Sequence, residues 1–182
     1  LVVPEVNGDQ LSLLRPGRGG IVANPNCSTI GLVLALAPLH RAFGVRRVAV
    51  TTLQALSGAG LVGGTGLTLD DTVVPFIGGE EDKLAKEPAK ILGEVEDGAL
   101  RDANLVVSAT CIRVPVTDGH TLSVSVELDR PVSEEEVRAA WESFRGDAEV
   151  SALPSAPERP LVVVDEPDGP QPARDRDLGG GM

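Results

Sequence analysis

Cys27 is the residue in this sequence best placed to do chemistry. It closes the turn-forming stretch Asn24-Pro25-Asn26 and precedes Ile30 to Phe43, an apolar run with Leu32, Leu36 and Leu39 spaced for one helical face. A thiol at a helix N-terminus faces unpaired backbone N–H groups and the positive end of the helix dipole. Both favour the thiolate, which is the nucleophile. The same N–H groups can hold the oxyanion formed when a thiolate attacks a carbonyl. A buried inert thiol is the alternative, and position alone does not decide between the two. Cys111 is the internal comparison: it lies mid-strand, no helix terminus activates it, and it reads as structural.

His120 is the candidate acid–base partner. It follows Arg113-Val114-Pro115-Val116-Thr117-Asp118-Gly119, where Pro115 and the Asp118-Gly119 turn separate two strands. A histidine at a strand start can act as general base and acid near neutral pH, or be a plain surface turn residue. The other histidine, His40, falls in the last turn of the helix after Cys27, where a cationic ring meets the helix dipole favourably. Arg113 could hold a carboxylate bidentately or be an ordinary surface arginine. Glu80 and Lys83, three apart, share a face at a helix start, and spacing alone favours a solvated surface there. Ser57-Gly58-Ala59-Gly60 could bring backbone close to a phosphate or nicotinamide. It lacks the G-x-G-x-x-G pattern and is not a dinucleotide fingerprint. No metal site is expected.

The elements that must position these residues are those of a globular chain. Of 182 residues, 42% are hydrophobic and 24% charged, enough for one domain with a real core. Aromatic residues make up 2%, so Val, Leu, Ile and Ala must pack that core. The net charge of −11 argues against nucleic-acid binding. Two cysteines make no disulfide framework and suggest a reducing, cytoplasmic compartment. The longest apolar stretch, Ile30 to Leu39, is too short to span a membrane, and Leu1 to Gln10 shows no signal-peptide pattern. A start at Leu1, with the only Met at 182, reads as a piece of a longer product.

The periodicity predicts a helix over 30–43 that Pro38 kinks or shortens, a strand over 46–53, and a flexible glycine-rich segment over 57–66. It further predicts a short strand over 73–77, a helix over 80–92, and strands over 105–112, 121–128 and 161–164. Leu122, Val124, Val126 and Leu128 alternate with polar residues, as in an antiparallel sheet with one buried face. Ser133 and Glu136 form a capping box for a helix to about Phe144. Residues 1–164 read as one catalytic domain and 165–182 as an extended connection. The class is α+β: a mixed, largely antiparallel sheet with helices on one face.

Four separated blocks, in order, resemble the catalytic domain of the aspartate-semialdehyde dehydrogenase family. They are Asn24-Pro25-Asn26-Cys27-Ser28-Thr29, Gln54-Ala55-Leu56-Ser57-Gly58-Ala59-Gly60, Glu80-Glu81-Asp82-Lys83 with Lys90-Ile91-Leu92 behind it, and Arg113 to His120. They cover most of Val2 to Leu128, and the tail from Pro170 resembles the family's connection toward its last strand and helix. The resemblance implies a fold similar to the C-terminal domain of glyceraldehyde-3-phosphate dehydrogenase. It implies Cys27 as thioester-forming nucleophile, His120 as acid–base catalyst and Gln54 as a positioning group. Arg113 would bind the substrate carboxylate, Glu80 its amine, and Lys83 the phosphate with Asn26 close by. Ser57, Gly58, Ala59 and Gly60 would lie against an NADP nicotinamide.

The reaction implied is reductive dephosphorylation of aspartyl phosphate to aspartate semialdehyde, in lysine, threonine and methionine biosynthesis, by a homodimer. The family's Rossmann domain and final helix are not in this chain, so it is not expected to bind NADP well or transfer hydride alone. The nineteen residues from 61 to 79 also form a shorter segment than the resemblance suggests. A rival is N-acetyl-glutamyl-phosphate reductase, against which Asn26 and Ser28 argue. Another is a non-catalytic remnant that associates with a partner subunit.

Overall fold

Strand β1, Val45–Gln54, is the axis on which the other elements are arranged. A computed structural model of the chain describes residues 1–60 and 71–178. In order these form helices α1 (Pro4–Asn7) and α2 (Cys27–Phe43), strand β1, helix α3 (Glu80–Ile91) and a hairpin of β2 (Glu94–Glu96) and β3 (Ala99–Arg101). Strands β4 (Val106–Arg113) and β5 (Thr121–Leu128) and helices α4 (Glu134–Ser143), α5 (Ala148–Ser151) and α6 (Pro172–Asp175) follow. The main sheet has the order β4-β1-β5, with β4 parallel and β5 antiparallel to β1. With the antiparallel hairpin, this is the α+β class with a mixed sheet.

Residues two apart along a strand share a face. Register therefore puts Val48, Val50, Thr52 and Gln54 on one face with Val107, Ala109, Cys111 and Arg113. The lower half of that face is apolar and packs against Leu32, Val33 and Leu36 of α2 and Leu84 and Ile91 of α3. Trp141 of α4 seals the layer, its Nε1 donating to the Ala35 carbonyl at 2.9 Å. The upper half, Thr52, Gln54, Cys111 and Arg113, is equally buried yet mostly polar, and it forms the wall of the candidate site. Ala49, Leu53, Ser108, Thr110, Ser123 and Ser125 form an exposed opposite face.

Strand β4 is an edge, and its free N–H groups need partners. The Cys111 N–H donates to Glu81 Oε1 at 3.1 Å, while Arg113 and Val74 exchange backbone hydrogen bonds. Among the described residues that single bridge is all the pairing the predicted 73–77 strand makes.

Three other expectations are corrected. Helix α2 runs unbroken through Pro38 to Phe43, because Pro38 and its neighbours Ala37 and Leu39 are buried and tertiary packing outweighs the lost hydrogen bond. Residues 161–164 form no regular element and pair with no strand among the described residues; Leu161 packs on the core while Val162 faces solvent. The tail is not uniformly extended either. Pro172, at the first helical position, starts the α6 turn, and Arg176 reaches Asp118 at 3.9 Å beside His120. The Ser133–Glu136 capping box is present at α4. Of the predicted flexible segment, Leu56–Ala59 is a 3₁₀ turn; the rest, from 61, lies outside the described residues.

Candidate active site

Asn26 builds the platform for Cys27. Its Oδ1 accepts from the N–H groups of Ser28 (3.0 Å) and Thr29 (3.3 Å), an N-cap that satisfies two orphan donors of α2. Its Nδ2 donates to Glu80 Oε2 at 2.6 Å and its own N–H to Glu87 Oε2 at 2.9 Å. Helix α3 thus grips the turn before Cys27 with two carboxylates seven residues apart on one face. Glu87 was absent from the sequence-based candidates, although its two-turn spacing from Glu80 was a readable signal. With its cap so fixed, Cys27 is the first residue of a 17-residue helix, and its thiol is exposed.

His120 Nε2 lies 3.1 Å from Cys27 Sγ. The other ring nitrogen, Nδ1, accepts the Ala55 N–H at 3.0 Å. The Ala55 carbonyl in turn accepts from Arg113 Nη1 at 2.6 Å and from the Gly58 N–H at 3.1 Å. The chain after β1 is zipped to the segment before His120: Leu56 N–H to Val116 O at 2.7 Å, Ser57 N–H to Thr117 O at 3.0 Å. Gly58 sits where these groups converge. A Cβ there would stand 2.8 Å from His120 Cε1 and 2.9 Å from Arg113 Nη1, so any side chain must displace one of them. Ser57, Ala59 and Gly60 share that turn but join the cluster only through Gly58. Arg113 is 5% exposed and is no surface arginine.

Gln54 and the start of α3 complete the wall. Gln54 Nε2 donates to Thr52 Oγ1 (3.3 Å) and Glu80 Oε2 (3.2 Å), and Lys83 Nζ donates to Glu80 Oε1 (2.9 Å). Glu80 and Lys83 are therefore tied into the site and are not a merely solvated helix start. Cys27, His120, Asn26, Gln54, Glu80, Lys83, Arg113 and Gly58 all fall in this one cluster. Among the described residues no group of His, Cys, Asp and Glu could hold a metal ion.

Burial, and then the Arg113 charge, push His120 below its ordinary value of 6.5. Burial does the same to His40, whose Nδ1 accepts the Val45 N–H at 3.1 Å; it is not the cation the sequence suggested for the helix dipole. Burial alone would raise Glu80, but hydrogen bonds from Lys83, Asn26 and Gln54 outweigh it and hold the carboxyl below its ordinary 4.5. The unfolded chain therefore binds more protons than the folded one on the acid side. Stability is expected to fall as pH drops through 6.5, and again as Glu80 titrates below the usual carboxylate range. Urea midpoints measured from pH 8 down to about pH 2 check this; the first step should flatten in a His40→Gln/His120→Gln double variant.

A family model described as "Semialdehyde dehydrogenase, dimerisation domain" matches residues 36–180. The aspartate-semialdehyde dehydrogenases of Methanothermobacter thermautotrophicus and Archaeoglobus fulgidus are 49% and 50% identical to this chain. Both matches cover 100% of the chain but 54% and 53% of the relative, so the chain spans about half the length of these relatives. The solved aspartate semialdehyde dehydrogenase of Candida albicans, a structure with NADP, superposes with a TM-score of 0.87 at 39% identity. That match covers 97% of this chain and 53% of the other. A Vibrio cholerae enzyme of the same name, complexed with ASA, gives 0.66 at 32% identity over 79% of this chain and 48% of its own.

Proposed function

The chain belongs to the semialdehyde dehydrogenase family, and from that premise we propose that it carries the acyl-transfer half of an aspartate-semialdehyde dehydrogenase. The observation that carries the proposal is the 3.1 Å approach of His120 Nε2 to a Cys27 thiol at a helix N-terminus. Cys27 attacks the acyl carbon of aspartyl 4-phosphate, phosphate leaves, and the aspartyl group stays as a thioester. The N–H groups of the helix start and His120 face the carbonyl oxygen as charge develops on it. Gln54, buried and held at two points, shapes the wall beside the reacting carbon. Arg113 recognises the substrate carboxylate, Glu80 its amine, and Lys83, which carries the exposed cation, the phosphate with Asn26 alongside.

NADP, when bound, supplies the hydride that reduces the thioester. The turn after β1 fits a nicotinamide. Gly58 lies against His120, where a side chain would displace the ring or Arg113, and no described residue stands within 4 Å of where a Cβ at Gly60 would project. Residues 1–164 act as the substrate domain and 165–182 lead toward the part of the enzyme beyond this chain. The exposed sheet face of small residues around Ala49 and Ser125 is the contact of a homodimer. The protein works in the cytoplasm, in the biosynthesis of lysine, threonine and methionine.

Acyl transfer needs no cofactor and is testable on the chain itself. Incubation with aspartyl 4-phosphate, followed by intact-mass and peptide mass spectrometry, is expected to give a hydroxylamine-labile aspartyl adduct on Cys27. It should be missing in Cys27→Ser. Failure of wild-type protein to form an adduct would sink the reading, as would an adduct carried by Cys111.

A further inference from the structure

We infer that His120 meets Cys27 as a hydrogen-bond donor that keeps its Nε2 proton through thioester formation, and that the Ala55 backbone N–H is the group that sets this. The inference rests on the reading of Cys27 as the nucleophile and makes His120 a hydrogen-bond donor, not a proton acceptor, in thioester formation.

A backbone N–H is an obligatory donor. Ala55 directs its N–H at Nδ1 at 3.0 Å, so Nδ1 must present its lone pair. In a neutral imidazole the proton then sits on Nε2, the nitrogen 3.1 Å from Cys27 Sγ. Sulfur is therefore the acceptor in that contact. To accept a proton from the thiol, Nε2 would have to be bare and Nδ1 protonated. Nδ1–H would then point at the Ala55 N–H, hydrogen against hydrogen.

The Ala55 peptide cannot rotate away to relieve this. The N–H shares its plane with the Gln54 carbonyl, which accepts the Val114 N–H at 3.0 Å, and the next plane is pinned through the Ala55 carbonyl to Arg113 Nη1 and the Gly58 N–H and through the Leu56 N–H to Val116. An imidazolium meets the same obstacle at Nδ1. The charged groups around the ring are Arg113 on β4, Glu80 on α3 and Cys27 on α2. Burial and Arg113 oppose a cationic ring and Glu80 favours one, with the balance toward the neutral form. A resting imidazolium is therefore disfavoured.

The chemistry balances without proton transfer to the ring. The S–C bond forms, the carbon–oxygen bond to phosphate breaks, and the electron pair leaves on the phosphate oxygen. The proton given up by the thiol ends on the released phosphate, on the Lys83 side. Throughout, Nε2–H hydrogen-bonds first to sulfur and then to the oxyanion, as a neutral histidine does when it serves as electrophile.

Two measurements test this. With histidine labelled by nitrogen-15, the chain has only two rings to observe, and the His120 signals are those lost in His120→Gln. Long-range proton–nitrogen correlation is expected to show Nε2 protonated and Nδ1 bare at pH 7; a protonated Nδ1 overturns the inference. The second is the pH dependence of Cys27 alkylation. Wild type should rise in one step without a low-pH plateau. His120→Gln, whose amide still donates, should stay within about threefold of it, while His120→Ala falls about tenfold. A plateau near pH 5, or His120→Gln as slow as His120→Ala, would mean that the ring takes the proton. If wild-type Cys27 is no more reactive than Cys111, the nucleophile reading itself fails, whatever the tautomer.

Discussion

At pH 7 iodoacetamide is expected to modify Cys27 about a hundred times faster than Cys111, because one thiol is presented and the other must wait for local opening. Cys27 is exposed at the first position of α2, with its N-cap fixed by Asn26 and a donor from His120 on its sulfur. Cys111 is 0% exposed on the buried face of β4, and burial pushes its thiol up from the ordinary value. Its backbone N–H is held by Glu81, which also places a carboxylate nearby to oppose a thiolate. Peptide mass spectrometry over a time course reads both sites in one sample. Equal rates would mean that the helix start does not present Cys27 as described, and the assignment of the nucleophile would fall with it.

Where a side chain acts on a neighbour close in sequence, the letters carried the structure. Ser133 with Glu136 marks the start of α4, because capping is local chemistry; Asn26 caps α2 in the same way, although periodicity alone begins that helix only at Ile30. The order Gln54, Glu80, Arg113, His120 was legible as candidates, but their proximity was not: it depends on the parallel pairing of β1 with β4, which sets Gln54 opposite Arg113. The burial of Arg113 was readable in hindsight, since it shares parity with Val107 and Cys111 on a strand with one covered face.

What stayed hidden was mostly backbone. Glu87 acts on the N–H of Asn26 and His120 is oriented by the N–H of Ala55, and every residue but proline offers the same N–H. No residue type at position 26 or 55 could announce the contact. The strand expected at 161–164 failed for a related reason. Its residues are β-formers, but a strand exists only when it is laid along a partner edge, and this segment instead packs Leu161 on the core without reaching β4 or β5.

Gly58→Ala is expected to lower acyl transfer to Cys27 about a hundredfold, the scale on which ångström-level misplacement of catalytic groups acts. The glycine is not needed for a left-handed turn; it is needed for space. The added methyl would lie 2.8 Å from His120 Cε1, 3.0 Å from His120 Nε2 and 2.9 Å from Arg113 Nη1. Neither neighbour can withdraw cheaply. His120 is held by the Ala55 N–H, and Arg113 is buried with its Nη1 on the Ala55 carbonyl. Relief must break one of those bonds, and either break moves the ring that faces Cys27 or the cation proposed for the substrate carboxylate. The cost to the fold is smaller, about 1–3 kcal/mol for overpacking at a solvent-facing turn.

Gly31→Ala is the control. It adds the same methyl to the exposed face of α2, with no described residue outside the helix within 4 Å, and should leave acyl transfer intact while stabilising the helix by about 0.5–1 kcal/mol. Acyl transfer read by mass, alongside urea unfolding, separates the two effects. If Gly58→Ala transfers as well as wild type, then His120 and Arg113 are free to move. The Ala55 peptide would then not be holding the site together.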